Sequence, residues 1–155
     1  MADEIERKFL VAEVPRTVAL DLGQQLQQGY LALDGETEVR MRKHSDSAGL
    51  TIKGGRGHIR AEIELALTEA DANALWPLTE GRRLEKTRHR VDVGETTAEV
   101  DVYGGALDGL MTAEVEFASI DDARAFSAPS WFGRELTGED AWSNASLAQH
   151  GRPDK

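Results

Sequence analysis

The sequence of 155 residues contains no cysteine. Disulfide bonds and thiolate metal sites are therefore excluded, and the composition is compatible with a reducing, cytoplasmic location. No apolar run approaches the roughly 18 residues that a membrane-spanning helix needs. The N-terminus is charged from residue 3 and has no apolar segment of the kind found in secretory signals. We therefore expect neither a membrane partner nor export.

Basic residues are fewer than acidic ones, 18 against 28, which gives a formal net charge of −10. A general nucleic-acid binder would carry a basic surface, so we expect no nucleic-acid partner. Low-complexity tracts and long linkers are absent as well, and the length suits a single domain. We expect one domain over residues 1–150 and a disordered tail over 151–155.

Short β-strands dominate the pattern that remains. Eight segments have the composition and turn-bounded length of strands, and several alternate charged with apolar residues. "DGE" at 34–36, "SDSAG" at 45–49 and "GGRG" at 54–57 are typical of hairpin turns. Together they predict an α+β protein built on an antiparallel β-barrel, with strands over 4–11, 29–33, 37–43, 50–53, 59–67, 84–93, 97–103 and 111–118.

Four helices are expected around the strands. The first is predicted near 16–27 and the second over 69–76, where Thr68 can cap and Asp71 follows three residues later. A third is predicted near 121–127, led by Ser119 and Asp122. The last is predicted over 139–149, led by Thr137 and Asp140.

Charged side chains alternate with apolar ones on seven of the strands. In "EIERK" at 4–8, for example, every second residue is charged, and side chains two apart share a face. One interpretation is a solvated outer face with cross-strand ion pairs. Such pairs add only roughly 0–1 kcal/mol each, which is a weak reason to gather so many. The alternative is that apolar faces pack under helices and charged faces line a barrel, because eight strands enclose room for one small ligand.

A cavity lined with both carboxylates and cations suits phosphoryl chemistry. Carboxylates bind hard divalent cations such as Mg²⁺ or Mn²⁺, and Arg and Lys bind phosphate oxygens. Phosphoryl transfer uses both kinds of group. A purely structural barrel with internally paired charges, and a tunnel that binds polyphosphate without cleaving it, remain alternatives.

The order of these charged motifs resembles the CYTH superfamily, the triphosphate tunnel metalloenzymes. The resemblance covers nearly the whole chain, through "EIERK" at 4–8, "QGYL" at 28–31, "EVRMR" at 38–42, "LTIKG" at 50–54, "RAEIE" at 60–64, "EKTRHRV" at 85–91, "AEVDVY" at 98–103, "GLMTAEVEF" at 109–117 and "GRELTGED" at 133–140.

The resemblance implies an eight-stranded tunnel that binds a triphosphate and divalent metal, Mg²⁺ or Mn²⁺. The metal ligands it implies are carboxylates: Glu4, Glu6, Glu114 and Glu116, with Glu62, Glu64 and Asp101 as further acidic lining. The implied triphosphate contacts are basic: Lys8, Arg40, Arg42, Lys53, Lys86, Arg88 and Arg134. Within these sets, Glu6 and Lys86 are the expected catalytic residues: a divalent cation is expected to orient or activate the attacking water near Glu4 and Glu6, and Lys86 to stabilise the leaving group or the transferred phosphoryl.

The implied activity is hydrolysis of a triphosphate, with inorganic tripolyphosphate as the expected substrate. Adenylate cyclase, thiamine triphosphatase and nucleoside triphosphatase are the alternatives within the superfamily. Only 6% of residues are aromatic, which leaves few side chains to stack on thiamine or a base. The chain is expected to act as a monomer or homodimer.

The final helix is expected to plug one mouth of the tunnel, as it does in the superfamily. Relatives commonly carry a basic residue and a tyrosine before "SN", whereas this chain has Ala141 and Trp142 before Ser143 and Asn144. The details of how this plug docks are therefore not implied by the resemblance.

Overall fold

A single antiparallel sheet forms the body of the computed structural model, which describes residues 4–54 and 61–153. Its strands lie in the spatial order β1-β8-β7-β6-β2-β3-β4-β5. All eight predicted strands are confirmed in this described part of the chain: β1 (Ile5–Leu10), β2 (Gln24–Asp34), β3 (Thr37–Lys43), β4 (Ala48–Gly54), β5 (Ala61–Leu67), β6 (Arg83–Val93), β7 (Thr96–Tyr103) and β8 (Met111–Phe117).

Three α-helices accompany the sheet in the described residues: α1 (Glu69–Leu75), α2 (Ile120–Ala125) and α3 (Asn144–His150). The first two begin where the capping pattern predicts. The side chains of Thr68 and Ser119 accept hydrogen bonds from the third backbone N–H beyond each cap, at Asp71 and Asp122. Short 3-10 helices lie at Trp76–Thr79, Gly105–Leu107 and Asp140–Trp142.

Two of the four helix predictions are wrong, one in its existence and one in where the helix begins. The helix predicted near 16–27 does not form; β2 begins at Gln24 and pairs with both β3 and β6, so tertiary pairing overrides the helical preference of the glutamines. The last helix begins at Asn144 and is capped by Ser143. Thr137, the predicted cap, accepts a hydrogen bond from the backbone N–H of Lys8 instead.

The outer face of β1, β6, β7 and β8 is the main apolar core. Phe9, Val100 and Val115 lie there with almost no exposure, under Ala123 of α2 and Phe132 of the following segment. Because side chains alternate, this packing turns Glu6, Lys8 and the other charged residues of these strands to the opposite, inner face. The predicted arrangement, with apolar faces covered from outside, is confirmed for these strands.

A second apolar cluster closes one end of the inner face. Leu84 and Tyr103 from the sheet pack against Leu136, Trp142 and Leu147, the last of which belongs to α3. The Tyr103 hydroxyl also donates to Asn144 Oδ1 at 2.8 Å. The C-terminal segment therefore plugs this end of the sheet.

The two edge strands, β1 and β5, share no ladder within the described residues. Part of the reason lies in residues 133–137, which occupy the outer edge of β1. Leu10 exchanges backbone hydrogen bonds with Gly133 and Arg134, and the Leu136 N–H donates to the Lys8 carbonyl. Only the start of β1 is left to face β5, and side chains bridge that seam.

The outer face of β5 departs from expectation. If the apolar face of this strand packed under a helix, as the barrel interpretation requires, Ile63 and Leu65 would be covered, but 54% and 49% of their surfaces are exposed. The predicted turn at 54–57 and the first residues of the strand predicted over 59–67 lie outside the described residues. In residues 4–54 and 61–153, no helix has the length and apolar character that a membrane crossing requires.

Candidate functional site

The inner face of the curled sheet encloses a cavity of about 570 Å³. It is lined by eleven of the fourteen residues predicted for the site, and those are Glu4, Glu6, Lys8, Arg40, Arg42, Lys53, Glu62, Glu64, Arg88, Glu114 and Glu116. The alternating pattern brings them together because six strands, β1, β3, β4, β5, β6 and β8, each turn one face inward. These eleven side chains therefore share one cavity, as expected if the charged faces line a barrel.

Carboxylates crowd together on the wall formed by β1 and β8. The pKa of Glu6 is raised to about 7, first by its partial burial, then by repulsion from Glu114 and Glu4 and by hydrogen bonding with Glu114, against a lowering effect of Lys53. Glu6 is nevertheless exposed at the cavity surface, where the neighbouring carboxylates oppose its ionisation. This wall has more negative charge than its neighbours neutralise.

Lys53 of β4 bridges the seam between β1 and β5. Its ammonium lies 3.5 Å from a carboxylate oxygen of Glu4 and 3.9 Å from one of Glu62. On the other side of the acidic wall, Lys8 lies 3.8 Å from Glu114 and donates to the Trp142 carbonyl at 2.7 Å. Both lysines therefore already have anionic partners when no ligand is bound.

The guanidinium groups of β3 form the opposite, cationic wall. Within the described residues neither Arg40 nor Arg42 lies in an ion pair; Arg40 contacts Thr51 Oγ1 at 3.5 Å and Arg42 contacts Gln28 Oε1 at 3.2 Å. Burial, followed by repulsion from Arg40 and Arg88, lowers the pKa of Arg42 to about 10. This wall has more positive charge than its neighbours neutralise.

Buried donors without acceptors concentrate on this cationic wall. Gln28 Nε2, Arg40 Nε and Arg42 Nε have no hydrogen-bond partner among the described residues. Thr112 Oγ1, on β8, is in the same condition. An unsatisfied buried polar group costs about 1–3 kcal/mol, and a ligand rich in acceptor oxygens would remove that cost.

Asp101 and Lys86 lie outside the cavity lining. The Lys86 side chain is 0% exposed, and its ammonium lies 2.8 Å from Asp101 Oδ2. Arg88 donates hydrogen bonds to both Asp101 oxygens, from Nε at 2.7 Å and from Nη2 at 2.9 Å. Burial raises the pKa of Asp101, but the two cations more than offset that effect, so its pKa lies below the usual value. The oxygens of Asp101, predicted as metal ligands, are occupied by these two cations.

Arg134, the remaining predicted phosphate contact, lies at the surface over the plug. Its side chain is 53% exposed, donates to both Glu139 oxygens and stacks 5.8 Å from the centre of the Trp142 ring. The structure thus places three of the fourteen predicted residues, Lys86, Asp101 and Arg134, away from the lining.

Several lining residues were not in the predicted set. Glu38 and Glu99 belong to the same charged faces as their neighbours, so the alternation marks them as well. Tyr30 and the plug residues Trp142, Ser143 and Asn144 also line the cavity. No periodic signal in the sequence points to the plug residues, because their position depends on where the chain returns after α2.

The carboxylates of the acidic wall have the chemistry to bind a divalent cation, but their oxygens do not converge on a single coordination site among the described residues. In residues 4–54 and 61–153, no three acidic or histidine side chains form a ready metal-ligand cluster. Hard oxygen donors with unneutralised charge are nevertheless what Mg²⁺ and Mn²⁺ bind. Binding would require Glu4 and Glu114 to exchange their lysine partners for the metal.

Comparison with known proteins agrees with this geometry. The family model for the CYTH domain matches residues 2–141. The chain belongs to the CYTH family. It is 42% identical over 147 residues to an inorganic triphosphatase of Nitrosomonas europaea, covering 94% of this chain and 96% of that protein. It is 35% identical over 152 residues to an inorganic triphosphatase of Acetivibrio thermocellus, covering 97% and 96% of the two chains.

Solved structures place the fold in the same family. A crystal structure of an inorganic triphosphatase superposes on this CYTH chain with a TM-score of 0.76 at 41% identity, over 96% of each chain. Although β1 and β5 share no ladder in the described residues, the tunnel fold is therefore confirmed. The α+β class and the antiparallel eight-stranded architecture predicted for the chain are confirmed with it.

Proposed function

We propose that this CYTH protein hydrolyses inorganic tripolyphosphate to pyrophosphate and phosphate inside the tunnel, with the help of a divalent cation. The observation that carries the proposal is the pair of opposite charge excesses in one cavity. Glu6 lies between Glu4 and Glu114, which repel its charge, and among the described residues it has no ion-pair partner, just as Arg40 and Arg42 lack an anion. A metal complex of a polyphosphate supplies both. The two triphosphatase relatives support the same substrate.

The carboxylates that would hold the cation are those of the acidic wall. We assign Glu4, Glu6, Glu114 and Glu116 to it, with Glu62 and Glu64 across the seam as additional acidic lining. A divalent cation, Mg²⁺ or Mn²⁺, would neutralise phosphate charge and make a neighbouring water more acidic. The coordination itself is left to experiment.

The side chains of this chain would orient the two reactants. Arg40 and Arg42 bind the phosphate oxygens farthest from the acidic wall, while Lys8, Lys53 and Arg88 contact the rest of the chain once the anion competes with their carboxylate partners. Glu6 orients the attacking water on the acidic wall. Arg134 acts at the plug surface, through Glu139 and Trp142.

Lys86 is proposed to act through Asp101, not by touching the substrate. Its ammonium is buried and paired, so direct contact with phosphate would first require it to leave Asp101. Lys86 and Arg88 share Asp101, and Arg88 also pairs with Glu99 through Nη1, so the guanidinium would contact phosphate by exchanging Glu99 for the anion. The stabilising role predicted for Lys86 is thereby assigned to Arg88, with Lys86 setting its charge balance.

Metal dependence provides the first test. With Mg²⁺ or Mn²⁺, the protein is expected to release phosphate from tripolyphosphate, and excess chelator is expected to reduce the rate by more than about a hundredfold. The measurement is phosphate release at saturating substrate, with metal restored after chelation as the control. Tight binding of tripolyphosphate without phosphate release in either metal would favour a non-catalytic polyphosphate-binding module.

Substrate choice provides the second test. Among the residues that the structure describes, only Tyr30 and Trp142 contribute aromatic rings to the cavity lining, and the plug closes one end, so an adenosine or thiamine group finds few stacking partners. We expect kcat/KM for tripolyphosphate to exceed that for ATP or thiamine triphosphate by at least about tenfold. Cyclic AMP is measured beside phosphate; its formation from ATP at a comparable rate would favour the cyclase alternative.

We also propose three properties of the protein in the cell that concern its location, its oligomeric state and its partners. They are a cytoplasmic location, a monomeric or homodimeric state and the lack of a nucleic-acid partner. Light scattering of the purified chain, with and without tripolyphosphate, measures the second of these directly.

A further inference from the structure

Gln28 is a buried polar residue at the point where the charged tunnel meets its apolar plug. It lies on β2 with 0% exposure, directly opposite Arg42 on β3 and Leu84 on β6. Arg42 belongs to the cavity lining, and Leu84 belongs to the plug cluster. Two residues earlier on the same face the chain has Leu26, which is also buried. An apolar side chain therefore packs readily on this face, and the amide of Gln28 needs a separate explanation.

The two ends of the Gln28 amide differ in their partners. Arg42 has only donors to offer, so the amide oxygen must face it, and the Oε1 to Nη2 distance is 3.2 Å. The amide nitrogen then remains a buried donor with no acceptor among the described residues, as do Arg40 Nε and Arg42 Nε. Three unsatisfied donors on adjacent strands favour an anion with several acceptor oxygens.

We propose that Gln28 is a positioning residue for the substrate anion. By holding one Nη of Arg42, Gln28 fixes the guanidinium on the cationic wall, where it binds the end of the phosphate chain remote from the acidic wall. The cleaved end of the chain then lies beside Glu6 and Glu114. This inference rests on the proposed function and adds to it a direction for the bound chain.

The test compares two substitutions of Gln28 with the same changes at Gln27. Gln27 is exposed on the opposite face of β2, so Gln27→Glu and Gln27→Met reproduce the change of charge and of shape outside the tunnel. Gln28→Met removes both hydrogen-bonding ends of the amide. Gln28→Glu keeps the shape but gives Arg42 a carboxylate partner, which competes with the substrate for the guanidinium.

We expect Gln28→Met to raise KM for tripolyphosphate about tenfold and Gln28→Glu about a hundredfold, with kcat within about twofold of the parent in both. Calorimetry in chelator is expected to show the same order in the dissociation constant of metal-free tripolyphosphate. A residue with a purely structural role would lower the melting temperature and the active fraction without separating KM from kcat.

Equal KM values for Gln28→Glu and Gln27→Glu would overturn the inference, and so would a loss confined to kcat. If Gln28→Met does not fold, Gln28→Glu decides, because it keeps the volume and shape of the side chain. If the parent protein binds tripolyphosphate but releases no phosphate, the proposed function fails. The inference on Gln28 is then judged by the dissociation constants alone.

Discussion

Replacing Glu6 with glutamine is expected to lower kcat for tripolyphosphate by more than about a hundredfold. The substitution keeps the shape of the side chain but removes a charge from the wall where Glu4 and Glu114 already repel it. Both the affinity for the divalent cation and the orientation of the attacking water depend on that charge in our proposal. The measurements are kcat at saturating substrate and the metal concentration that gives half-maximal activity.

The matched control is Glu13→Gln, the same chemical change at an exposed position beyond the end of β1. It is expected to leave both measurements unchanged. If Glu6→Gln retains full turnover at the metal requirement of the parent, Glu6 has neither of the roles proposed for it.

The same substitution that lowers kcat, Glu6→Gln, is expected to stabilise the fold at high pH. The pKa of Glu6 is raised from 4.5 to about 7, so the folded protein holds its proton more tightly than the unfolded chain does. Its contribution to stability is therefore complete below about pH 4.5 and is lost as pH rises through about 7. In chelator, Glu6→Gln is expected to raise the melting temperature at pH 8 relative to the parent, and to change it little at pH 4.5.

Replacing Asp101 with asparagine is expected to destabilise the fold by about 3 kcal/mol or more, because it leaves the buried Lys86 ammonium without its carboxylate. For a chain of this size the melting temperature should fall by roughly 6–12 °C. Lys86→Met should cost less, since Asp101 keeps both hydrogen bonds from Arg88. Thermal unfolding of the two variants gives this order directly.

Two further measurements separate the ion pair from general damage. The double variant Lys86→Met with Asp101→Asn is expected to be more stable than Asp101→Asn alone, because no unpaired buried charge remains. Asp92→Asn, at an exposed position on β6, is the control and should change little. If the double variant is no more stable than the single one, the charge of Lys86 is not the origin of the loss.

The pH dependence of the Asp101→Asn loss follows from Lys86. Burial lowers the pKa of Lys86 to about 8 even with Asp101 present, and losing Asp101 lowers it further. The unfolded chain then binds a proton that the folded chain does not, so stability rises with pH until the lysine of the unfolded chain also deprotonates. The difference between Asp101→Asn and the parent should therefore shrink as pH rises toward about 8, where the Lys86 of the parent also loses its proton.

The strands and their inward faces could be predicted because their signal is local. An alternation of two residues is a property of the extended backbone itself, so Glu4 to Lys8 or Glu38 to Arg42 predicts a charged face whatever the rest of the chain does. The same holds for the caps at Thr68 and Ser119, which act within three residues. The helix predicted near 16–27 is wrong because residues 24–28 pair with β3 and β6, and this tertiary pairing makes them part of β2.

By itself, the sequence determined the eight strands, their charged faces, the family and eleven residues of the cavity lining. Only the tertiary structure decided which partner each charge has: Asp101 pairs with Lys86 and Arg88, Lys53 spans the seam, and Arg42 contacts Gln28. The plug also belongs to this second group, since residues 133–137 reach β1 from more than a hundred residues away. Side-chain direction is set within a strand, but burial and pairing depend on which strands become neighbours.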